Sequence, residues 1–390
     1  MADQTTTIPK GWKMTTLGEV AEIIMGQSPS GESYNQNKDG LPFYQGITEF
    51  GDKYVDIKTY TNQPTKIIEE NSILFSVRAP VGKINFTKHK ACIGRGNAGL
   101  KMKNGQQDFL YFLLKKYEKA FLSNTTGTVF DSISGGQLRG FEILIPEDRE
   151  EQRAIAAVLS SLDDKIELLR EENKTLEATA QAIFKEWFVN FNFPDSEGKP
   201  YKASGGKMIP SELGDIPEGW RVGRFVDIFK IEYGKSDKKF DKDGKYPVYG
   251  AGGIVGYSNS TDYRGYQVIV GCRGTCGNIT LAYENSKITH NSLIITNNWL
   301  KSYSYLFLKI IDIKKAITGS TQPQITIGDL GNIQIYIPED CLIKLFSENM
   351  NSVFEKIKNN NSQIQTLSTL RDTLLPKLMK GEVRVKSFKD

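Results

Sequence analysis

The chain has 390 residues, of which 39% are hydrophobic and 25% charged, with a net charge of +4, four cysteines and two histidines. That length admits about two to three domains of roughly 150 residues, and a charge so near neutral is not that of a protein held to nucleic acid by phosphate neutralisation alone. No apolar run reaches the roughly 20 residues of a membrane span, the first ten residues are polar, and Cys92, Cys272, Cys276 and Cys341 are scattered, so a soluble, reduced, cytoplasmic protein is expected.

From Trp12 to Ile145, short β-branched and aromatic runs alternate with Gly, Asn, Asp and Pro: Leu41–Tyr44, Ile73–Val77, Gly82–Phe86 and Glu142–Ile145 are predicted strands. Residues 107–121 place Leu110, Leu113, Leu114, Tyr117 and Phe121 at helical spacing, which predicts a helix with a counterpart at Tyr303–Ile313. The run is then written a second time. Ile8-Pro9-Lys10-Gly11-Trp12 returns as Ile216-Pro217-Glu218-Gly219-Trp220, Arg78-Ala79-Pro80-Val81-Gly82-Lys83-Ile84 as Arg273-Gly274-Thr275-Cys276-Gly277-Asn278-Ile279, and Ile145-Pro146-Glu147-Asp148 as Ile337-Pro338-Glu339-Asp340. A duplicated unit at this period predicts two similar α+β bodies built to read two similar things. The plainer alternative is a duplication kept for stability.

Between Arg149 and Phe191 the pattern becomes a heptad, with Ile155, Leu159, Leu162, Ile166, Leu169, Asn173, Leu176, Ala180, Ile183 and Trp187 in the seam. Ten slots 191 residues later, from Phe346 to Leu378, repeat it, and each helix would run about 50 Å at 1.5 Å per residue. Packed antiparallel, the two seams set Asn173 beside Asn360, a polar pair that fixes register at some cost in stability. The acidic excess of the chain is confined to residues 149–195, and Asp163 with its acidic neighbours is expected on a solvated outer face. Residues 192–215, rich in Pro and Gly, form a linker, and Pro376 and Gly381 are expected to end the second helix. The predicted layout is residues 1–148, a helical spacer at 149–191, the linker at 192–215, a second body at 216–338 and a second helical spacer at 339–385, in a nearly circular arrangement with a pseudo-twofold axis.

Catalytic chemistry is hard to place. Two histidines leave little for histidine catalysis or metal binding, Cys272 and Cys276 lack a second pair to complete a zinc site, and no phosphate-cradling G-x-x-x-x-G-K-[ST] loop is present. Gly94-Arg95-Gly96-Asn97-Ala98-Gly99 spells a dinucleotide fingerprint without the helix that should follow it, and reads as a glycine-rich turn. Trp12 and Trp220 read as core anchors rather than stacking platforms.

The duplicated Ile-Pro-x-Gly-Trp, the Ile-Pro-Glu-Asp that hands each body to its helix, and the endings Lys185-Glu186-Trp187-Phe188 and Leu374-Leu375-Pro376-Lys377-Leu378-Met379-Lys380-Gly381-Glu382 together resemble the specificity subunit of type I restriction-modification systems. The likeness runs from about residue 8 to 385. It implies two target recognition domains, each reading one half of a bipartite, asymmetric double-stranded DNA site, with two long antiparallel helices in coiled-coil contact as a ruler. It also implies two methylation subunits docked on those helices, restriction subunits in the larger complex, and a non-catalytic chain without cofactors of its own. S-adenosylmethionine, ATP and Mg would belong to the partners.

Given that implication, loop residues able to offer hydrogen bonds or close backbone approach are the candidate DNA contacts. They are Tyr44, Gln45, Gly46, Thr48, Arg78, Thr126 and Thr128 in the first body, and Lys235, Ser236, Tyr249, Arg273, Ser320, Thr321, Gln322 and Gln324 in the second. Gln45, Gln322 and Gln324 suit adenine edges, Arg78 and Arg273 guanine edges or phosphates, and Lys235 with Ser236 a phosphate. Arg78 and Arg273 stand out because they share a slot, and the alternative for them is an arginine bracing its own loop. Phe184, Trp187, Phe188 and Phe191 are expected to dock the methylation subunits. Two other classes stay open: an enzyme, and a scaffold whose duplicated bodies bind proteins or peptides.

Overall fold

The computed structural model describes residues 8–122, 132–241, 244–297 and 301–385. The chain divides into unit 1, Met1–Glu167 with Ile364–Asp390, and unit 2, Leu168–Gln363. Seven α-helices are described: α1 (Leu17–Val20), α2 (Gln107–Leu122), α3 (Gly135–Arg139), α4 (Arg149–Phe188), α5 (Lys301–Ile310), α6 (Ile327–Gly331) and α7 (Asp340–Met379). The boundary between the units falls inside both long helices: Arg149–Glu167 of α4 and Ile364–Met379 of α7 belong to unit 1, Leu168–Phe188 and Asp340–Gln363 to unit 2.

Unit 1 is built on a four-stranded antiparallel sheet in the order Ala21–Met25, Asn97–Met102, Ile73–Ser76, Ile84–Phe86. Helix α2 falls where its periodicity placed it, and buries Phe109, Leu110, Leu113, Leu114 and Phe121 in the same core as Phe75 and Leu100. A second sheet runs Tyr34–Asn35, Tyr60–Thr61, Leu41–Tyr44, Ala91–Ile93, Ile67–Ile68, with Tyr44 parallel to Ile93. The first strand, Trp12–Thr16, pairs antiparallel with the last, Glu142–Pro146. Trp12 lies in the core and donates its indole N–H to Glu151 at 3.3 Å, which seats the start of α4.

Unit 2 repeats this plan. Its four strands run Lys230–Tyr233, Ser292–Thr296, Gln267–Gly271, Ile279–Ala282, and Arg221–Arg224 closes on Gln334–Ile337. The second sheet has three strands, Gly253–Ser258, Tyr246–Gly250 and Lys287–Ile288, with Tyr249 parallel to Ile288. Two expectations are corrected here. The predicted helix at 303–313 is α5 followed by a 3-10 turn, Ile313–Ala316. The supposed linker is built onto the unit: Met208–Ile209 pairs with Ile216–Pro217, and Phe193 stacks between Tyr201 and Trp220 at 4.6 and 5.7 Å.

Within each unit, the portions of α4 and α7 lie antiparallel. In unit 1, Ile155 and Leu159 share the core with Leu378 and Met379, and Arg371 Nη1 meets Asp163 Oδ1 at 2.7 Å. In unit 2, Asn360 Nδ2 donates to Asn173 Oδ1 and Asn173 Nδ2 to Asn361 Oδ1, both at 2.9 Å. Asp163 is therefore not on a solvated face; it is 4% exposed. Buried residues of α4 fall on the heptad slots at Ile155, Leu159, Ile166, Leu169 and Ala180, and one residue after the slot at Asp163, Phe184 and Phe188. A helix near its natural 3.6 residues per turn drifts about 20° per heptad against a 3.5-residue seam, which moves the buried stripe onto the next residue. Pro376 is also corrected: it lies inside α7, which continues to Met379. Gly381, at φ +70°, follows the last turn, and its N–H is bonded to Leu378 O at 3.1 Å.

Candidate nucleic-acid interface

In unit 1, three turns meet at one end of the two sheets. Gly94 N donates to Tyr44 O at 2.9 Å and Gly96 N to Gln45 O at 3.2 Å, while Val77 N donates to Gly96 O at 2.9 Å. Asn97 Nδ2 ties the set together by donating to Tyr44 O and Gly46 O at 3.1 and 3.0 Å. The spacing explains the glycines, since a Cβ on Gly96 would sit 2.5 Å from Gln45 O. What this packing leaves outside is Gln45, Thr48, Arg78 and Arg95, all exposed.

Arg78 is held by its backbone against Ser132, an antiparallel bridge continued by Ile133 N bonding Val77 O at 2.9 Å. Ser134 then caps α3, accepting from Gln137 N. Unit 2 has the same arrangement: Arg273 bridges Gln324, Ile325 N bonds Cys272 O at 3.0 Å, and Thr326 caps α6. Among the described residues, neither Arg78 nor Arg273 makes a side-chain hydrogen bond or ion pair, and both side chains are exposed. Both guanidinium groups are exposed and have their five donors available.

In unit 2 the segment before this bridge forms a hairpin, Ile317–Thr318 paired with Gln324–Ile325, whose tip carries exposed Ser320, Thr321 and Gln322. Gly319 makes the turn at φ +87°, and Cys276 donates its thiol to Pro323 O at 2.9 Å, fastening the tip to the Arg273 turn. Gln324 is half-buried in the hairpin strand. Lys235 is exposed, with its backbone N–H on the Tyr263 hydroxyl at 3.0 Å.

Other candidates are corrected by burial. Tyr44 is 0% and Tyr249 7% exposed, each at the core of its second sheet, and burial pushes both phenols above their usual range. Ser236 is 3% exposed and spends its hydroxyl on Asp262 Oδ2, at 2.6 Å, and on Ile288 N, at 3.0 Å. None of these three side chains is free to meet a duplex. Phe184, Phe188 and Phe191 are likewise core residues of unit 2; Phe184 and Phe188 lie 5.4 and 5.1 Å from Phe346, and Phe191 lies 5.4 Å from Trp220. Trp187 alone of that group stays half-buried. Thr126 and Thr128 lie outside the described residues.

Two residues escaped the sequence reading. Thr289 N bonds Tyr249 O at 2.9 Å just as Gly94 N bonds Tyr44 O, and Asn291 O accepts from Cys272 N at 2.9 Å just as Gly96 O accepts from Val77 N. Arg95 and His290 thus hold equivalent, exposed positions beside Arg78 and Arg273. The signal was present, since both pairs are offset by 195 residues, but it was masked by treating Gly94–Gly99 as a turn and nothing more. Among the described residues no cluster of His, Cys, Asp and Glu is arranged to hold a metal ion, and no helix is long and apolar enough to cross a membrane.

Each unit therefore offers a compact set of exposed donors on rigid turns, suited to hydrogen-bonding base edges and phosphates. The family model of the type I restriction modification DNA specificity domain matches residues 9–178 and again 217–368. The type I restriction enzyme MjaIX specificity subunit of Methanocaldococcus jannaschii is 28% identical across 98% of this chain and 95% of its own length. The HindI specificity subunit of Haemophilus influenzae is 25% identical across 84% and 90%. A crystal structure of the type I restriction-modification S subunit from M. genitalium shares the fold, with a TM-score of 0.56 at 20% identity, covering 97% of this chain and 98% of that one.

Proposed function

The chain belongs to the type I restriction modification DNA specificity family, whose domain it carries twice, and from this premise we propose that it directs a type I complex to a bipartite, asymmetric DNA sequence. Each unit reads one half-site. The observation that supports this reading is the pair of exposed arginines, Arg78 and Arg273, presented by matching bridges to Ser132 and Gln324 and without a side-chain partner among the described residues. In unit 1, Arg95 and Gln45 complete the reading set; in unit 2, His290 and the hairpin tip Ser320-Thr321-Gln322 do so. Arginine pairs in bidentate fashion with guanine and glutamine with adenine in the major groove, so two different sets on one scaffold specify two different half-sites.

The chain passes between the units only inside α4 and α7, and to these helices we assign the gap between half-sites and the docking of two methylation subunits, with restriction subunits joining the larger complex. On this reading the chain performs no chemistry itself and needs no cofactor. S-adenosylmethionine, ATP and Mg serve the partners.

Co-expression with the methylation subunit in a host lacking adenine methylation, followed by genome-wide mapping of modified adenines, tests the proposal. A two-part motif with a fixed gap is expected. Arg273→Ala should relax or abolish only one half of it and Arg78→Ala only the other, each contact contributing about 1–3 kcal/mol of discrimination. Failure of an assembled complex to methylate any bipartite motif would move the assignment to the scaffold class.

A further inference from the structure

The second sheets of the two units end differently on one side. In unit 1 the stretch between the first sheet strand and Leu41 returns as Tyr34–Asn35, which pairs with Tyr60–Thr61 and closes that edge. In unit 2 the described residues 234–241 after Tyr233 form no strand and carry Lys235, Lys238 and Lys239, and Gly253–Ser258 stands at the edge of the described sheet, touched there by Asp241 N bonding Tyr257 O at 2.8 Å. That strand is unusually apolar for an edge: Ile254 and Val255 are each 51% and Tyr257 41% exposed. Phe240, also 51% exposed, lies over the strand, because a Cβ on Gly256 would come within 2.5 Å of its ring.

We propose that this edge, with Lys238, Lys239 and Phe240 laid along it, is a second duplex-contacting surface peculiar to unit 2, gripping the sugar-phosphate backbone rather than reading bases. The inference rests on the DNA-reading assignment above. Both ends of the patch run into the reading turns. Ser236 forms a bridge with Thr289, next to His290, and Gly252 closes against the Thr275 side chain, two residues from Arg273. Of the two lysines, Lys239 shares one carboxylate with Lys287, and Lys238 points its charge elsewhere. Asp237 pairs with Lys287 at 2.9 Å and with Lys239 at 3.8 Å, so it neutralises neither fully, and among the described residues Lys238 has no ion pair. Exposed cations beside an aromatic and aliphatic ridge match a duplex, whose phosphates take the charge and whose sugars and groove walls take the apolar surface. Unit 1 has the Tyr34–Asn35 strand at the corresponding edge, so on this proposal the two half-sites are gripped unequally.

The test uses the full chain assembled with its methylation subunits, and anisotropy titrations against a duplex bearing the mapped motif and a random duplex, over a salt series. Lys238→Ser with Lys239→Ser should lower the slope of log affinity against log salt by about 1 to 2, at roughly 0.9 per phosphate contact, equally on both duplexes. The methylated motif should stay the same. Phe240→Ser with Ile254→Ser should weaken both duplexes about tenfold with the salt slope unchanged, the scale of losing one well-buried contact. Unaltered affinity and slope in both variants, with the wild-type complex binding normally, would overturn this inference alone. Loss of methylation-subunit assembly, or a wild-type tendency to self-associate that the variants relieve, would reassign the edge to a protein partner. A wild-type complex that binds neither duplex would overturn the DNA-reading assignment itself.

Discussion

Where unit 1 buries Arg371 against Asp163, unit 2 buries Ala180 and Phe354, the residues 191 positions away in the duplicated register. A long cation facing a short anion in one place has become a small apolar residue and a large one in the other. Unit 2 shows that the scaffold does not require a buried ion pair at this place; its Lys356–Glu172 pair between the same helices, at 3.3 Å, is part exposed. Its own buried polar seam lies elsewhere, in the amides of Asn173, Asn360 and Asn361, with Asn360 Nδ2 also donating to Glu172 at 3.0 Å. Buried ion pairs are weak contributors to net stability, because desolvation offsets most of their attraction. They do penalise wrong pairings, since a shifted register leaves one charge alone. In a chain whose two helices each hold two similar halves, different polar marks in the two seams distinguish the right partner half from the wrong one.

The sharpest way to break this comparison is Arg371→Ala, which strands Asp163 in the core of unit 1 and should cost about 3–5 kcal/mol. Adding Asp163→Phe copies unit 2 and should restore most of that loss in denaturant titrations; a double variant as unstable as the single would end the equivalence. In unit 2, Asn360→Leu leaves the Asn173 carbonyl without its donor and should cost about 1–3 kcal/mol, with Asn173→Leu recovering part of it. The smallest effect concerns a residue special to unit 1. Lys116 donates to Met379 O at 3.0 Å at the end of α7, and burial, helped by the charge of Lys380, pushes it down to about 8. Its folded value lies below its unfolded one, so between about pH 8 and 10 the unfolded chain holds more proton, and stability rises with pH. Lys116→Met should flatten that rise, as read by thermal melts at pH 7.5 and 9.5.

Much of this was legible in the chain. The duplication, the α+β units, α2, the antiparallel helices and the contact of Asn173 with Asn360 all follow from spacing, because apolar periodicity is set by backbone geometry and survives packing. The aromatic end of α4 was misplaced for an equally physical reason: a drift of one residue converts Phe184 and Phe188 from surface to core, and no local property of phenylalanine reports it. Tyr44 and Tyr249 were misjudged because a loop motif extends into a strand, and burial is decided by the sheet it joins. Arg95 and His290 stayed hidden since their significance lies in hydrogen bonds made by their neighbours' backbone, which a side-chain reading passes over.

The pairing of Trp12–Thr16 with Glu142–Pro146, and of Arg221–Arg224 with Gln334–Ile337, brings the first and last strands of each domain side by side. Everything between enters and leaves at one doorway. To the rest of the chain each domain is an insertion whose two ends already meet, so a genetic crossover at matching doorways exchanges a whole set of reading loops in one event. On the proposed reading, such an exchange would replace the recognised half-site while the pairing of α4 with α7 and the other domain keep their own contacts.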